Sequence, residues 1–158
     1  MSKLKLNRKS VGVLVACALG LIAWKVAWAT PGQSINTTII SGPTSLPEID
    51  VKSETHDVKI KTKALSDVYV VYNTIAPGGH TGWHSHPGPS IISVKAGTAT
   101  EYNSDAPNTP HVHDTGSSFV DSGDHAHIVR NEGNTNLELV AFQILPAGAP
   151  RRIDQPQP

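Results

Sequence analysis

Cysteine is all but missing from this 158-residue chain: Cys17 is the only one. It lies in an apolar N-terminal stretch, so the rest of the chain has no disulfide and must draw its stability from a packed core. Helical patterning is missing as well, since no window repeats apolar residues at helical spacing. After residue 29 neither Lys nor Arg clusters, and Arg151-Arg152 is the only basic pair. That argues against nucleic acid and against an anionic membrane surface as partners. No serine stands in a nucleophile-elbow pattern, and the glycines around Gly78 lack the Lys-Ser/Thr of a phosphate loop.

What is present divides into a leader and one domain. Lys3, Lys5, Arg8 and Lys9 precede the uncharged apolar run Val11 to Ala23, and Ala27-Trp28-Ala29 places small residues where a signal peptidase reads them. This predicts a secretory signal peptide over 1–29 and an exported, periplasmic or extracellular protein. The alternative is a retained membrane anchor, the one way this chain would meet a membrane; Lys25 interrupts it. Leu14-Val15-Ala16-Cys17 also resembles a lipoprotein box, but the residues after it stay apolar instead of forming a polar tether. Without residues 1–29 the chain keeps eight Lys and Arg against thirteen Asp and Glu, so the neutral balance of the whole belongs to the leader. About 129 residues remain, enough for one domain.

Along that domain, residues 30–55 are rich in Thr, Ser, Gly and Pro and predict an exposed lead-in with one β-prone run at Thr37 to Ile40. From residue 56 the period becomes that of strands: Val58 and Ile60, then Val68, Val70, Tyr72 and Thr74. Further strands are predicted at Ser90 to Val94, Thr98 to Tyr102, Ser118 to Val120, His125 to Arg130 and Leu137 to Leu145. Asn103 to Pro110, with its two prolines, predicts a loop. Residues 147–158 predict an arm or disordered tail beyond a barrel over 56–146. Many short strands between Gly/Pro turns indicate an all-β sandwich or barrel.

Seven of the eight histidines fall between His80 and His127, six of them in His-x-His pairs at 84/86, 111/113 and 125/127. On a strand, residues i and i+2 share a face, so such a pair presents two imidazoles to one side, and neutral imidazoles bind transition metals readily. The spacing Gly78, five residues, His84, one residue, His86, three residues, Ser90, six residues, Gly97 resembles the first motif of the cupin family, which has Glu where Ser90 stands. Gly116, His127 and Asn131 match the second motif, with Ser122 at its Pro position and Asp124 at its inner Gly.

The resemblance covers about residues 68–145. It implies a double-stranded β-helix, or jelly-roll barrel, holding one divalent metal (Fe, Mn, Zn, Ni or Cu) through His84, His86 and His127. It also implies a small-molecule substrate or ligand, an activity of dioxygenase, isomerase, decarboxylase or lyase type, and a homodimer. With Ser90 in place of the Glu ligand, a neutral hydroxyl does not offset the metal's charge. The candidates to complete the site are His80 from the same loop, His125 beside His127, Ser90 itself, and Gln143, the one polar residue inside the apolar last strand. His111 and His113 read as an exposed loop pair or a second, rim metal site, and Trp83 as core or inter-subunit packing. Glu101 is the nearest strand carboxylate after Ser90, with no spacing that brings it in. A non-catalytic binding module is the alternative to an enzyme.

Overall fold

A computed structural model describes residues 29–158. The predicted leader therefore lies, apart from Ala29, outside the described residues. The twelve strands are β1 (Gln33–Leu46), β2 (Asp50–Lys52), β3 (Lys59–Lys61), β4 (Ser66–His80), β5 (His84–Ser85) and β6 (Ser90–Ala96), then β7 (Thr98–Asn103), β8 (Ala106–Asp114), β9 (Ser118–Asp121), β10 (His127–Arg130), β11 (Leu137–Pro146) and β12 (Ile153–Asp154). No helix occurs among the described residues.

All strand pairs are antiparallel. One face of the barrel is ordered β1-β4-β11-β6-β9, the other β12-β5-β10-β7-β8, and the Arg130↔His80 bridge joins them. The result is a nearly closed antiparallel β-barrel. The hairpin β2-β3 stands apart as its own two-stranded sheet.

Alternation decides the inside. In β11 every odd residue, Leu137, Leu139, Ala141, Gln143 and Leu145, is buried, and the even ones are not. Val71, Ile75 and Val94 meet them from β4 and β6 in one apolar core. Leu137 is fully buried, so cutting it to Ala costs about 2–5 kcal/mol.

Three stretches differ from the sequence reading. Residues 33–46 are not a lead-in but the long strand β1 lying along β4, from Gln33↔His80 to Leu46↔Ser66. Almost all of β1 is exposed, so it carries no apolar alternation; its part is to cover what would otherwise be a bare edge of β4. Residues 106–114 are strand β8 rather than loop, although Pro107 and Pro110 fall within it. β8 pairs only with β7 and its ladder shifts between Glu101 and Asn103, so both prolines sit in an edge strand at an irregularity, where a missing N–H is tolerated.

The tail is the third. β12 pairs with β5 through Ile153↔Ser85 and Asp154↔His84, and the Gln155 N–H donates to the Trp83 carbonyl at 2.9 Å. The Thr30 N–H donates to the Gln155 carbonyl at 3.2 Å, and Ala29 bridges Pro156. Residues 151–156 thus form a strap across the barrel mouth, clasped by the start of the described chain.

Candidate metal centre

β5 is only two residues long, and its backbone is held between β10 and β12: His84 pairs with His127 on one side and Asp154 on the other. Gly82, just before it, has φ +72°, and a Cβ there would lie 2.0 Å from the Thr30 carbonyl oxygen. The turn that aims the histidine pair therefore requires glycine. From there His84 and His86 enter the barrel interior with His127. Ring centroids are 4.3 Å apart for 84/127, 4.8 Å for 84/86 and 5.5 Å for 86/127. Each ring offers one nitrogen, and these nitrogens lie within 4.8 Å of one another. All three side chains are buried.

The chain also fixes which nitrogen is free. His84 Nδ1 is 2.8 Å from the Gly82 carbonyl oxygen and His86 Nδ1 is 2.6 Å from that of Arg151. A carbonyl only accepts, so both Nδ1 atoms carry the proton and both Nε2 lone pairs remain for an ion. Burial, with the charges of His127, Arg152 and His86, pushes the His84 imidazole well below its usual range. Burial also lowers His86, against the opposing pull of the Arg151 carbonyl. Both rings are kept neutral, the form that binds metal.

A residue the sequence reading passed over stands beside them. Asp121, the last residue of β9, is buried; its Oδ1 accepts the Gly123 N–H at 2.9 Å and lies 3.4 Å from His127 Nδ1. Its Oδ2 has no hydrogen-bond partner and lies 3.9 Å from His86 Nε2. Burial works against ionisation, but His127, the Gly123 N–H and His86 outweigh it and hold the carboxyl below its ordinary range. Asp121 is the cross-strand partner of Ser90, and Ser90 is the partner of Gln143. The signal was present: β9 alternates, with Phe119 buried, Val120 exposed and Asp121 buried, but the predicted strand stopped one residue short.

The other candidates are distributed as follows. Ser90 and Gln143 are buried on the inner face, Gln143 Nε2 donating to Ser90 Oγ at 3.0 Å. His80 is half-buried and faces a separate hollow with Arg130 and Glu132, its Nδ1 accepting the Gly82 N–H at 3.0 Å. His125 is exposed at the turn before β10. His111 is exposed on β8, while His113 stacks on Phe119 at 4.0 Å with its Nε2 3.3 Å from Glu101 Oε2. Trp83 is buried.

The three clustered histidines, Ser90 and Gln143 line a cavity of ≈ 240 Å³, with Ile92, Phe119 and Leu139 among its apolar walls and Arg151 and Arg152 at its strap side. Three buried imidazoles with nitrogens within 4.8 Å of one another, two of them with Nε2 free, make a donor set that fits a divalent transition metal, and the partnerless Asp121 Oδ2 lies beside it.

The fold is shared with solved proteins. A cupin domain from Bordetella pertussis superposes with TM-score 0.50 at 19% identity, covering 72% of this chain and 94% of that one. An uncharacterized double-stranded β-helix protein from Klebsiella pneumoniae gives TM-score 0.49 at 20% identity, over 56% of this chain and 76% of that one. A predicted oxalate decarboxylase from Thermotoga maritima gives 0.42 at 23% identity, over 52% and 83%. No protein-family model and no curated protein matches the sequence. By its barrel and its likeness to the Bordetella pertussis domain, the chain has the cupin fold.

Proposed function

We propose that this protein is an exported single-domain cupin that holds one divalent transition metal through His84, His86 and His127 and acts as a metalloenzyme on a small organic molecule. One observation carries the reading: three buried imidazole nitrogens lie within 4.8 Å of one another on the wall of an internal cavity. Asp121 offsets the ion's charge from the strand next to Ser90. When bound, the metal supplies a Lewis acid or a redox centre of dioxygenase, isomerase or lyase type. The chain's own residues do the rest. Ile92, Phe119 and Leu139 exclude water, and Gln143, its amide nitrogen engaged by Ser90, turns a carbonyl oxygen toward Arg151 Nη1 at 3.4 Å. The volume is small against the ~300–1,000 Å³ of pockets for drug-sized ligands, which favours a small substrate.

A second reading, a non-catalytic binding module, draws support from Ser90, a neutral group where the family resemblance places a ligand carboxylate. Metal analysis of untagged protein beside the His84→Ala/His86→Ala double variant tests the centre itself: stoichiometric metal in the first and none in the second is expected, and equal trace metal in both would refute it. Oxygen uptake and product analysis over small phenols, keto acids and sugars separates enzyme from module. Export, with residues 1–29 removed, and pairing with a second copy complete the proposal. The outer row Phe142, Ile91 and Val120, in cross-strand register and 40%, 48% and 67% exposed, supports the pairing.

A further inference from the structure

The C-terminal strap does more than close the barrel, because it carries two guanidinium groups to the cavity. Arg151 and Arg152 both line it, beside His84, His86 and Gln143. Their backbone is fixed from both sides: the Arg151 carbonyl holds His86 Nδ1 at 2.6 Å, and Ile153 and Asp154 pair with Ser85 and His84. Arg152 is tied through Nε to Asp154 at 2.6 Å, yet its Nη2 is buried with no partner. Arg151 reaches only the neutral Gln143 Oε1, at 3.4 Å, and makes no ion pair among the described residues.

Arg152 thus shares one carboxylate, the exposed Asp154, while the adjacent half-buried Arg151 has none, and such a charge is costly without an anion before it. Burial and the neighbouring Arg152 charge both act against the charged form of Arg151. The carboxylate inside the barrel, Asp121, is already turned to His127 and Gly123 and makes no ion pair with Arg151. Residues 1–28 contain no Asp or Glu that could do so either.

We infer that the cavity is built for a small organic carboxylate, whose anionic group is taken by Arg151 and Arg152 of the strap while its body lies toward the histidines. Guanidinium and carboxylate match as paired donors and acceptors, and a site with two guanidiniums rejects the isosteric amide, which brings no charge. This names the ligand class for the metal reading above, and rests on that reading only in placing the ligand's body near an ion.

Calorimetric titration with benzoate, benzamide, oxalate and oxamide tests it, on the protein with zinc loaded and with metal stripped, with metal content measured in parallel. In both forms at least one carboxylate is expected to bind and its amide not to bind. Arg152→Gln and Arg151→Gln are each expected to weaken the carboxylate by about tenfold or more, the scale of a lost charge-assisted hydrogen bond, while Arg152→Lys retains part of the binding. Equal binding of acid and amide, failure of both carboxylates, or unchanged affinity in both glutamine variants would overturn the inference. The acid-against-amide comparison needs no variant, so it decides even if a substitution prevents folding. Arginine-dependent carboxylate binding in a protein that takes up no metal would uphold this inference and remove the metal reading, while metal uptake without carboxylate selectivity would do the reverse.

Discussion

Asp121 sits one strand away from where the resemblance places a carboxylate, directly across the ladder from Ser90. If the negative charge of the centre has moved to this position, Asp121→Asn lowers metal affinity by roughly 10–100-fold, the cost usual for losing a carboxylate partner of a ligand. Adding Ser90→Glu to that variant is expected to recover much of the loss, and competition with a chromogenic chelator measures both. A pH dependence follows from His84 and His86. Their folded values lie below the ordinary 6.5, so below that pH the unfolded chain binds more protons than the folded one. Stability of the metal-free protein is therefore full above about pH 6.5 and falls as the pH drops through the window beneath it, which urea denaturation at stepped pH would reveal. At this scale much was legible. His84 and His86 both turn inward as their spacing allows, but the spacing alone did not single them out, since in the equally spaced 125/127 pair His125 lies exposed in a turn and only His127 is buried. Asp121 was not legible, because a carboxylate before Ser-Gly-Asp looks like turn chemistry until the partner strand shows that it points inward.

Among the elements, the turn between β10 and β11 shows how a motif residue serves the fold instead of the chemistry. Asn131 is fully buried; its Nδ2 donates to the Ile75 and Thr135 carbonyls, each at 2.8 Å, and its Oδ1 accepts the Gly133 N–H at 3.1 Å. Asn131→Ala leaves these groups unpaired and is expected to cost about 1–3 kcal/mol or more in chemical denaturation, with metal stoichiometry retained in the folded fraction. The strap has the opposite profile. It adds little to the core, but a chain ended at Pro150 loses the carbonyl that orients His86, so metal affinity is expected to fall about tenfold or more while the thermal midpoint moves less than in Asn131→Ala. β4, β6 and β11 could be read as strands from their β-prone apolar residues, but not which face turns inward: in β4 the alternating Val68, Val70, Tyr72 and Thr74 are half-buried and Tyr69, Val71 and Ile75 form the inside. β1, β8 and β12 could not, for they lie at edges where one or both faces meet water and the pairing is made by backbone atoms that leave no trace in side-chain type.

For the molecule as a whole, the outer face of the larger sheet carries Phe142, Ile91 and Val120 in one row. Light scattering is expected to give a dimer for the wild type and a monomer for Phe142→Lys. Expressed from the whole sequence in a secreting host, the protein is expected by the export proposal to give an intact mass that begins at Thr30. The barrel itself was legible from many short strands between turns, but where its mouth closes was not, because closure joins residues 30 and 155, which nothing in the local pattern connects. That closure governs access. Residues 153–155 roof the pocket on β5 and Thr30 holds them there, so the three imidazoles are covered whenever that clasp is made. Whatever enters or leaves by that side has to wait for the two segments to part.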